Sequence, residues 1–406
     1  MRISSRPVVG LTALALTASL GLSACSSKKT NTTSSGSSAS SSCGTIPTDS
    51  PSDPDGVLAA LPSSVKALYN GYPTAIHKSA FASWKPSSSS NKTIGFLLSE
   101  TNNGYQLALA SILSGMLKGA GYTVDEVTSS DEVTDQVADF NQMVEQKVAA
   151  IVYEPLSSSA FTTAVSTAAT AGIPSISLLN SVDSADTISL GANDWLQGAE
   201  MAQYVAKEIG GSGKVLDVHG ISGVGIDTAT YQGVKAVFAE CSGITTDDTI
   251  YDQFADSTAK SAVQTYLETH PQKIAAAMTS GAGATGVLEG FQAAGKSVPI
   301  IANDSLEDGQ LAYWYQNKSS YNGVGITATP PQLATAALAL VQALFKGEGV
   351  KVSAVVLNTP LVTNANVADW YTSSMTTSST GNASGPSSLN VLPTSELDEL
   401  LSNPSS

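Results

Sequence analysis

Between about residues 91 and 364, apolar positions follow two alternating patterns. A short apolar run at 93–98 predicts a strand, and strand-like runs recur at 122–127, 149–153, 175–178, 187–190, 214–218, 274–278, 298–302 and 323–327. Between them, apolar residues recur at helical spacing. Leu109, Ile112, Leu113, Met116 and Leu117 form one stripe, closed by Gly119 and Gly121. Met201, Tyr204, Val205 and Ile209 form a second stripe, and Leu333, Ala337, Leu340, Val341 and Leu344 a third. Strands alternating with helices predict an α/β fold with parallel sheets and right-handed crossovers, and the length of the region supports two doubly wound lobes.

The flanks differ. Residues 26–42 are almost entirely Ser, Thr, Lys, Asn, Gly and Ala, which predicts a flexible tether. Residues 44–90 form an extension with helical hints at 57–69 and an aromatic cluster of Tyr69, Tyr72, Phe81 and Trp84, expected to pack on the main body. From 373 onward the chain is again rich in Ser and Thr, with a short Leu-bearing piece near Leu397–Leu401, and a loose tail is expected.

Hydrophobic residues make up 42% of the 406, so the chain is globular. A net charge of −15 argues against nucleic acid, whose phosphates need clustered Lys and Arg. Arg2 and Arg6 are the only arginines. Without Arg for bidentate contacts to carboxylate or phosphate, the expected ligand is neutral.

At the N-terminus, Arg2 and Arg6 precede an apolar stretch over 8–22 that is too short for a permanent membrane span. It ends in Leu22-Ser23-Ala24-Cys25, which resembles a bacterial lipoprotein lipobox. That resemblance implies cleavage before Cys25, a diacylglyceryl thioether on Cys25 and a lipid-anchored protein on the extracytoplasmic face. Cys43 and Cys241 remain in an oxidising compartment, as one disulfide or as two separate thiols.

An ordered series of motifs then carries a wider resemblance. Thr93-Ile94-Gly95-Phe96-Leu97-Leu98-Ser99-Glu100-Thr101-Asn102-Asn103-Gly104-Tyr105 is followed by Ala171-Gly172-Ile173-Pro174 and Gly191-Ala192-Asn193-Asp194. His270-Pro271, Ala294-Gly295-Lys296 and Lys346-Gly347-Glu348 come next. From about 91 to 364 the chain resembles the type I periplasmic binding proteins, in particular the ribose-binding group that serves ABC importers. The resemblance implies two lobes joined by hinge strands, lobe one at 91–192 plus 329–348 and lobe two at 193–328 plus 349–372. Around them lie a signal peptide at 1–24, a tether at 25–43, the extension at 44–90 and the tail at 373–406. It also implies a monomer that binds a neutral sugar or polyol in the interlobe cleft and delivers it to membrane permease subunits, with no cofactor, no metal and no catalysis.

Carried over position by position, the resemblance assigns ligand contacts to Ser99, Asn103 and Tyr105 on one lobe and to Phe254 and Asp304 on the other. Tyr105 and Phe254 would stack on the sugar face, and Asp304 would accept hydroxyl hydrogen bonds. Each has a plainer reading: Asn103 and Asp304 as helix caps, Tyr105 and Phe254 as core. Where the family pattern has Asp-Arg, a second Arg and an Asn, this chain has Leu179-Asn180, Thr228 and Ser280. Gln106 and Asn303 replace two aromatics. The pocket is thus less charged and less aromatic than a ribose or galactose site. Trp195 is expected to pack between lobes, Glu154 to be solvated at the cleft mouth and His219 to be a hydrogen-bonded supporting residue.

Two rival functions arise. Gly281-Ala282-Gly283-Ala284-Thr285-Gly286 fits the dinucleotide fingerprint, but it falls late in the chain and in an exported protein. A lipoprotein that presents its solute to a receptor kinase would need the same closing cleft as a transporter's. No nucleophile elbow and no zinc spacing appears among His77, His219 and His270.

Overall fold

The computed structural model describes residues 42–99, 104–130 and 132–404. The signal region, Cys25 and Asn103 lie outside them. In chain order the strands are β1 (Thr93–Leu98), β2 (Thr123–Thr128), β3 (Ala150–Tyr153), β4 (Ser175–Leu178), β5 (Ile188–Gly191), β6 (Ser212–His219), β7 (Gly243–Tyr251), β8 (Ile274–Thr279), β9 (Ile300–Asn303), β10 (Val324–Ile326), β11 (Ala354–Val356) and β12 (Leu361–Val362). The helices are α1 (Ser63–Ala67), α2 (Gly104–Gly119), α3 (Val133–Glu145), α4 (Thr162–Thr170), α5 (Asp194–Glu208), α6 (Gly225–Phe238), α7 (Asp256–Thr269), α8 (Ala284–Ala293), α9 (Asp308–Asn317), α10 (Pro330–Lys346) and α11 (Thr394–Leu400).

Two six-stranded sheets result, ordered β11-β5-β4-β3-β1-β2 and β12-β10-β9-β8-β6-β7. All pairings are parallel except β12 against β10. In the first sheet Ile94 stands opposite Val124 and Ala150. Helices cover both faces, which is why the central strands are apolar without alternation. β7 escapes that pattern: it is an edge strand with most side chains exposed, so Gly243–Tyr251 carries no apolar run. In the first lobe, α2 and α10 lay Leu109, Leu113 and Leu117 against Leu333, Leu340 and Leu344.

The chain crosses between lobes after β5, after β10 and after β11. The third crossing corrects a boundary. Residues 349–372 were expected wholly in the second lobe, but β11 pairs with β5 in the first sheet, and only β12 and the residues after it, through Trp370, belong to the second. The short apolar run at 354–356 finds its place only through that pairing.

Both flanking segments are part of the folded body. The extension buries Leu58, Leu61, Val65, Tyr69, Tyr72, Ile76 and Phe81 in the first lobe's core. Tyr69 donates its hydroxyl proton to the Ala354 carbonyl at 2.8 Å, and the Trp84 indole N–H donates to Gly172 O at 2.8 Å. At its start the extension holds the other lobe, where Cys43 and Cys241 form a disulfide across 198 positions. The expected loose tail at 373–406 is also corrected. Met375 and Ala383 are buried in the second lobe, and Val391, Leu392, Leu397, Leu400 and Leu401 in the first. Leucines spaced along a Ser/Thr-rich stretch supply enough apolar surface to dock a short helix, α11, beside β11. Among the described residues, no helix is long and apolar enough to cross a membrane.

Candidate functional site

Ser99, Glu154 and Asn180 follow the carboxyl ends of β1, β3 and β4, and Gly220, Ser280 and Asp304 those of β6, β8 and β9, the ends at which open α/β sheets hold ligands. On the first lobe, the buried Ser99 directly follows β1, and α2 starts at Gly104. Gln106, on the first turn of α2, donates to Ser99 Oγ at 3.1 Å and to Glu154 Oε1 at 3.0 Å. Glu154 follows β3 and is only 7% exposed, so the expectation of a solvated carboxylate was wrong. Its second oxygen, Oε2, is shielded from solvent and has no hydrogen-bond partner. Burial raises its pKa to about 7, with the Gln106 hydrogen bond opposing. Tyr105 is half-buried and hydrogen-bonds Ala328 O at 2.6 Å, so its hydroxyl ties α2 to the second crossing and is not free to meet a ligand. Asn180, after β4, donates to Pro155 O at 3.2 Å, and its Oδ1 is unpartnered. A methyl group placed on Gly225 would sit 3.4 Å from that oxygen, so the lobes meet there.

On the second lobe, Asp304 stands on a turn shaped by the residue before it. Asn303 Oδ1 accepts from the backbone N–H of Ser305 and of Leu306, both at 2.9 Å, and from Ser305 Oγ–H at 3.0 Å. The side chain that replaces an aromatic thus serves the backbone instead. Asp304 Oδ1 accepts from the Gly281 N–H at 2.6 Å. Burial and the nearby Asp194 carboxylate push Asp304 well above the usual carboxylate range. Burial also raises Asp194 to about 8. Ser280 is fully buried next to Gly281, with an unpartnered hydroxyl. The Phe254 ring lies over the Gly220 and Gly281 backbones; a methyl group on either glycine would fall inside the ring's contact distance. Thr228, in the first turn of α6, is exposed and makes none of these contacts.

Backbone strain marks the same rim. Leu179, Phe254 and Leu306 have positive φ angles of 63°, 56° and 49°, a region unfavourable to bulky side chains by about 1 kcal/mol or more each. Each sits at or within two residues of Asn180, Phe254 or Asp304. Hydrogen bonds thus join Ser99, Gln106 and Glu154 at the end of the first sheet, with Asn180 bonded to the residue after Glu154, and contacts around Gly281 join Phe254, Ser280 and Asp304 at the end of the second.

The other candidates find supporting places. His219 hydrogen-bonds Asp227 at 2.9 Å and stacks on Tyr251. Trp195 is buried beneath Gly71 at the first crossing. The glycine-rich turn has its amides engaged by the protein itself. Glu307 accepts from Gly283 N–H and Thr285 N–H at 2.7 and 2.6 Å, Asp256 from Gly286 N–H at 2.8 Å and Asp304 from Gly281 N–H. A pyrophosphate would have to displace three buried or half-buried carboxylates. Among the described residues no cluster of His, Cys, Asp or Glu is arranged to hold a metal ion.

Residues 94–349 match the periplasmic binding protein domain. The ribose import binding protein RbsB of Bacillus subtilis is 27% identical over 228 residues, covering 55% of this chain and 74% of that protein. The xylitol-binding protein of Mycolicibacterium smegmatis is 24% identical over 243 residues, covering 59% and 68%. A solved ABC transporter solute-binding protein from Mycobacterium smegmatis, crystallised with glycerol, superposes with a TM-score of 0.63 at 18% identity, covering 71% of this chain and all of that one.

Proposed function

This chain belongs to the periplasmic binding protein family, and we propose that it is the extracytoplasmic solute-binding lipoprotein of an ABC importer. It takes a sugar or polyol that carries no negative charge, encloses it between the lobes and hands it to the permease without chemical change. The observation that carries this reading is the composition of the two walls. They offer a carboxylate on each side, amide and hydroxyl groups, one aromatic ring and no Lys or Arg. Such a set hydrogen-bonds many hydroxyls and offers an anion no positive side chain to pair with. That B. subtilis and M. smegmatis relatives are named for ribose and xylitol supports the class of ligand.

The test is a thermal-shift screen of sugars and polyols, because a ligand that binds only the folded state raises the melting temperature with the logarithm of its concentration. Calorimetry with the best hit follows. Asp304→Ala is expected to cost about 1.5–3 kcal/mol of binding. An anionic preference, or unchanged affinity in the variant, would remove Asp304 from the site.

The anchor rests on the lipobox-like run ending at Cys25. Cys25→Ser is expected to release the protein from the membrane fraction. If the variant stays with membranes as wild type does, the anchor lies elsewhere.

A further inference from the structure

The family match ends at 349, yet the chain returns to the cleft after it. Residues 381–385 lie where the Asp304 turn, the start of α2 and the second crossing meet. Asp308 N–H donates to Gly381 O at 3.0 Å and Ala383 N–H to Leu306 O at 2.9 Å, so the segment is hydrogen-bonded to the turn that carries Asp304. Asn382 Nδ2 donates to Ser305 O at 2.9 Å, one residue from Asp304. On the other side the segment abuts the first lobe. A methyl group on Gly104 would lie 3.1 Å from Gly381 Cα and 3.8 Å from Asn382 Oδ1. Thr329 Oγ1–H donates to Ser384 O at 3.1 Å, holding the segment to the crossing itself. Beyond it the chain enters the first lobe's core through Val391, Leu392 and α11.

We propose that residues 381–385, from the tail that follows both lobes, are a third wall of the ligand cleft, and that Asn382 is a positioning residue that holds the Asp304 turn in register with the start of α2. This rests on the reading of the cleft as the ligand site. The physical reason is the location of the contacts: the segment touches the Asp304 turn on one lobe and Gly104, the first residue of α2, on the other, and it is covalently continuous with apolar anchors on both lobes. Domain closure about hinges uses such few contacts to set which state is populated. Opening the cleft requires the segment to leave the start of α2 or to leave the Asp304 turn. Ligand release therefore waits on it.

The test uses the full-length chain with D-ribose, D-allose, xylitol and myo-inositol as probes. Asn382→Ala and Asn382→Asp both remove the donor to Ser305 O. Each is expected to raise the dissociation rate of the tightest-bound probe about tenfold while the ligand-free melting temperature stays close to that of wild type. A protease site inserted at the exposed Ser387-Ser388 and cut after folding separates the two anchors, and the cut protein is expected to release the probe faster as well. Asp304→Ala is the control. If it weakens binding and the Asn382 variants do not, the third wall is refuted and the cleft assignment stands. If neither changes affinity, the cleft assignment falls too. A ligand-free reading decides the matter should none of the probes bind. Hydrogen exchange of the Asp308 and Ala383 amides is expected to rise together in Asn382→Ala, and unchanged protection of both overturns the proposal.

Discussion

Asp217 sits on β6, between β8 and the edge strand β7 of the second sheet, fully buried, with both carboxylate oxygens lacking a hydrogen-bond partner. Burial raises its pKa from 3.8 to about 7, with His219 and Lys235 pulling the other way. Glu154 rises to about 7, and Asp252 and Glu307 to about 8, again chiefly through burial. A carboxyl whose pKa is higher folded than unfolded binds more protons in the native state. Its stabilising contribution is full below the unfolded value and is lost as pH climbs through the folded value. The ligand-free protein is therefore expected to melt at a higher temperature near pH 5 than near pH 8. Asp217→Asn is expected to flatten that slope and to stabilise the protein at pH 8 by on the order of 2 kcal/mol or more, with a smaller gain at pH 5. Calorimetric scans at both pH values measure it, and a melting temperature that rises with pH would contradict the assignment.

At the scale of elements, α8 shows how a loop that looks like a nucleotide site becomes internal structure. Its N-terminus presents free amides and a partial positive charge, which favour an anion. Glu307, from the turn before α9, fills that role with both oxygens, and Asp256 from α7 takes the next amide. Burial, followed by the Asp256 charge, raises Glu307. Glu307→Ala leaves Gly283 N–H and Thr285 N–H unpaired in a buried place and is expected to cost about 2–4 kcal/mol in urea unfolding. In the wild type, titration with NAD or NADP is expected to leave the tryptophan fluorescence and melting temperature unchanged. A saturable response would show that the carboxylates yield to a phosphate.

Across the whole molecule, the two flanking segments tie the lobes together around the hinge. The extension begins at the Cys43–Cys241 disulfide on the second lobe and runs to Tyr69 in the first. Asn193, at the first crossing, donates to the Leu68 and Asn70 carbonyls at 2.9 and 2.8 Å, so the segment is fastened at the hinge as well. A cross-link closing a loop of 198 positions removes much chain entropy from the unfolded state. Cys43→Ser with Cys241→Ser is expected to lower stability by about 2–5 kcal/mol in denaturant unfolding. An unchanged midpoint would mean that the apolar contacts of the extension hold it in place without the cross-link.

The alternation of apolar runs with amphipathic stripes was sufficient to define the parallel α/β lobes, because a strand covered by helices on both faces must be apolar along its length. The same logic hid β7, whose exposed edge needs no apolar run, and β11, too short to register until β5 pairs with it. The family resemblance made Ser99 and Asp304 candidates, and each does follow a strand at its carboxyl end. The sequence did not reveal that Glu154 is buried beside Gln106, that the Tyr105 hydroxyl is spent on Ala328, or that Thr228 points to solvent. Those outcomes depend on which side chains meet across sequence separations of tens to hundreds of residues. The tail was the largest misreading. Composition registered its serines and threonines, whereas its fate was decided by a few leucines that find a hydrophobic surface only once the first lobe exists.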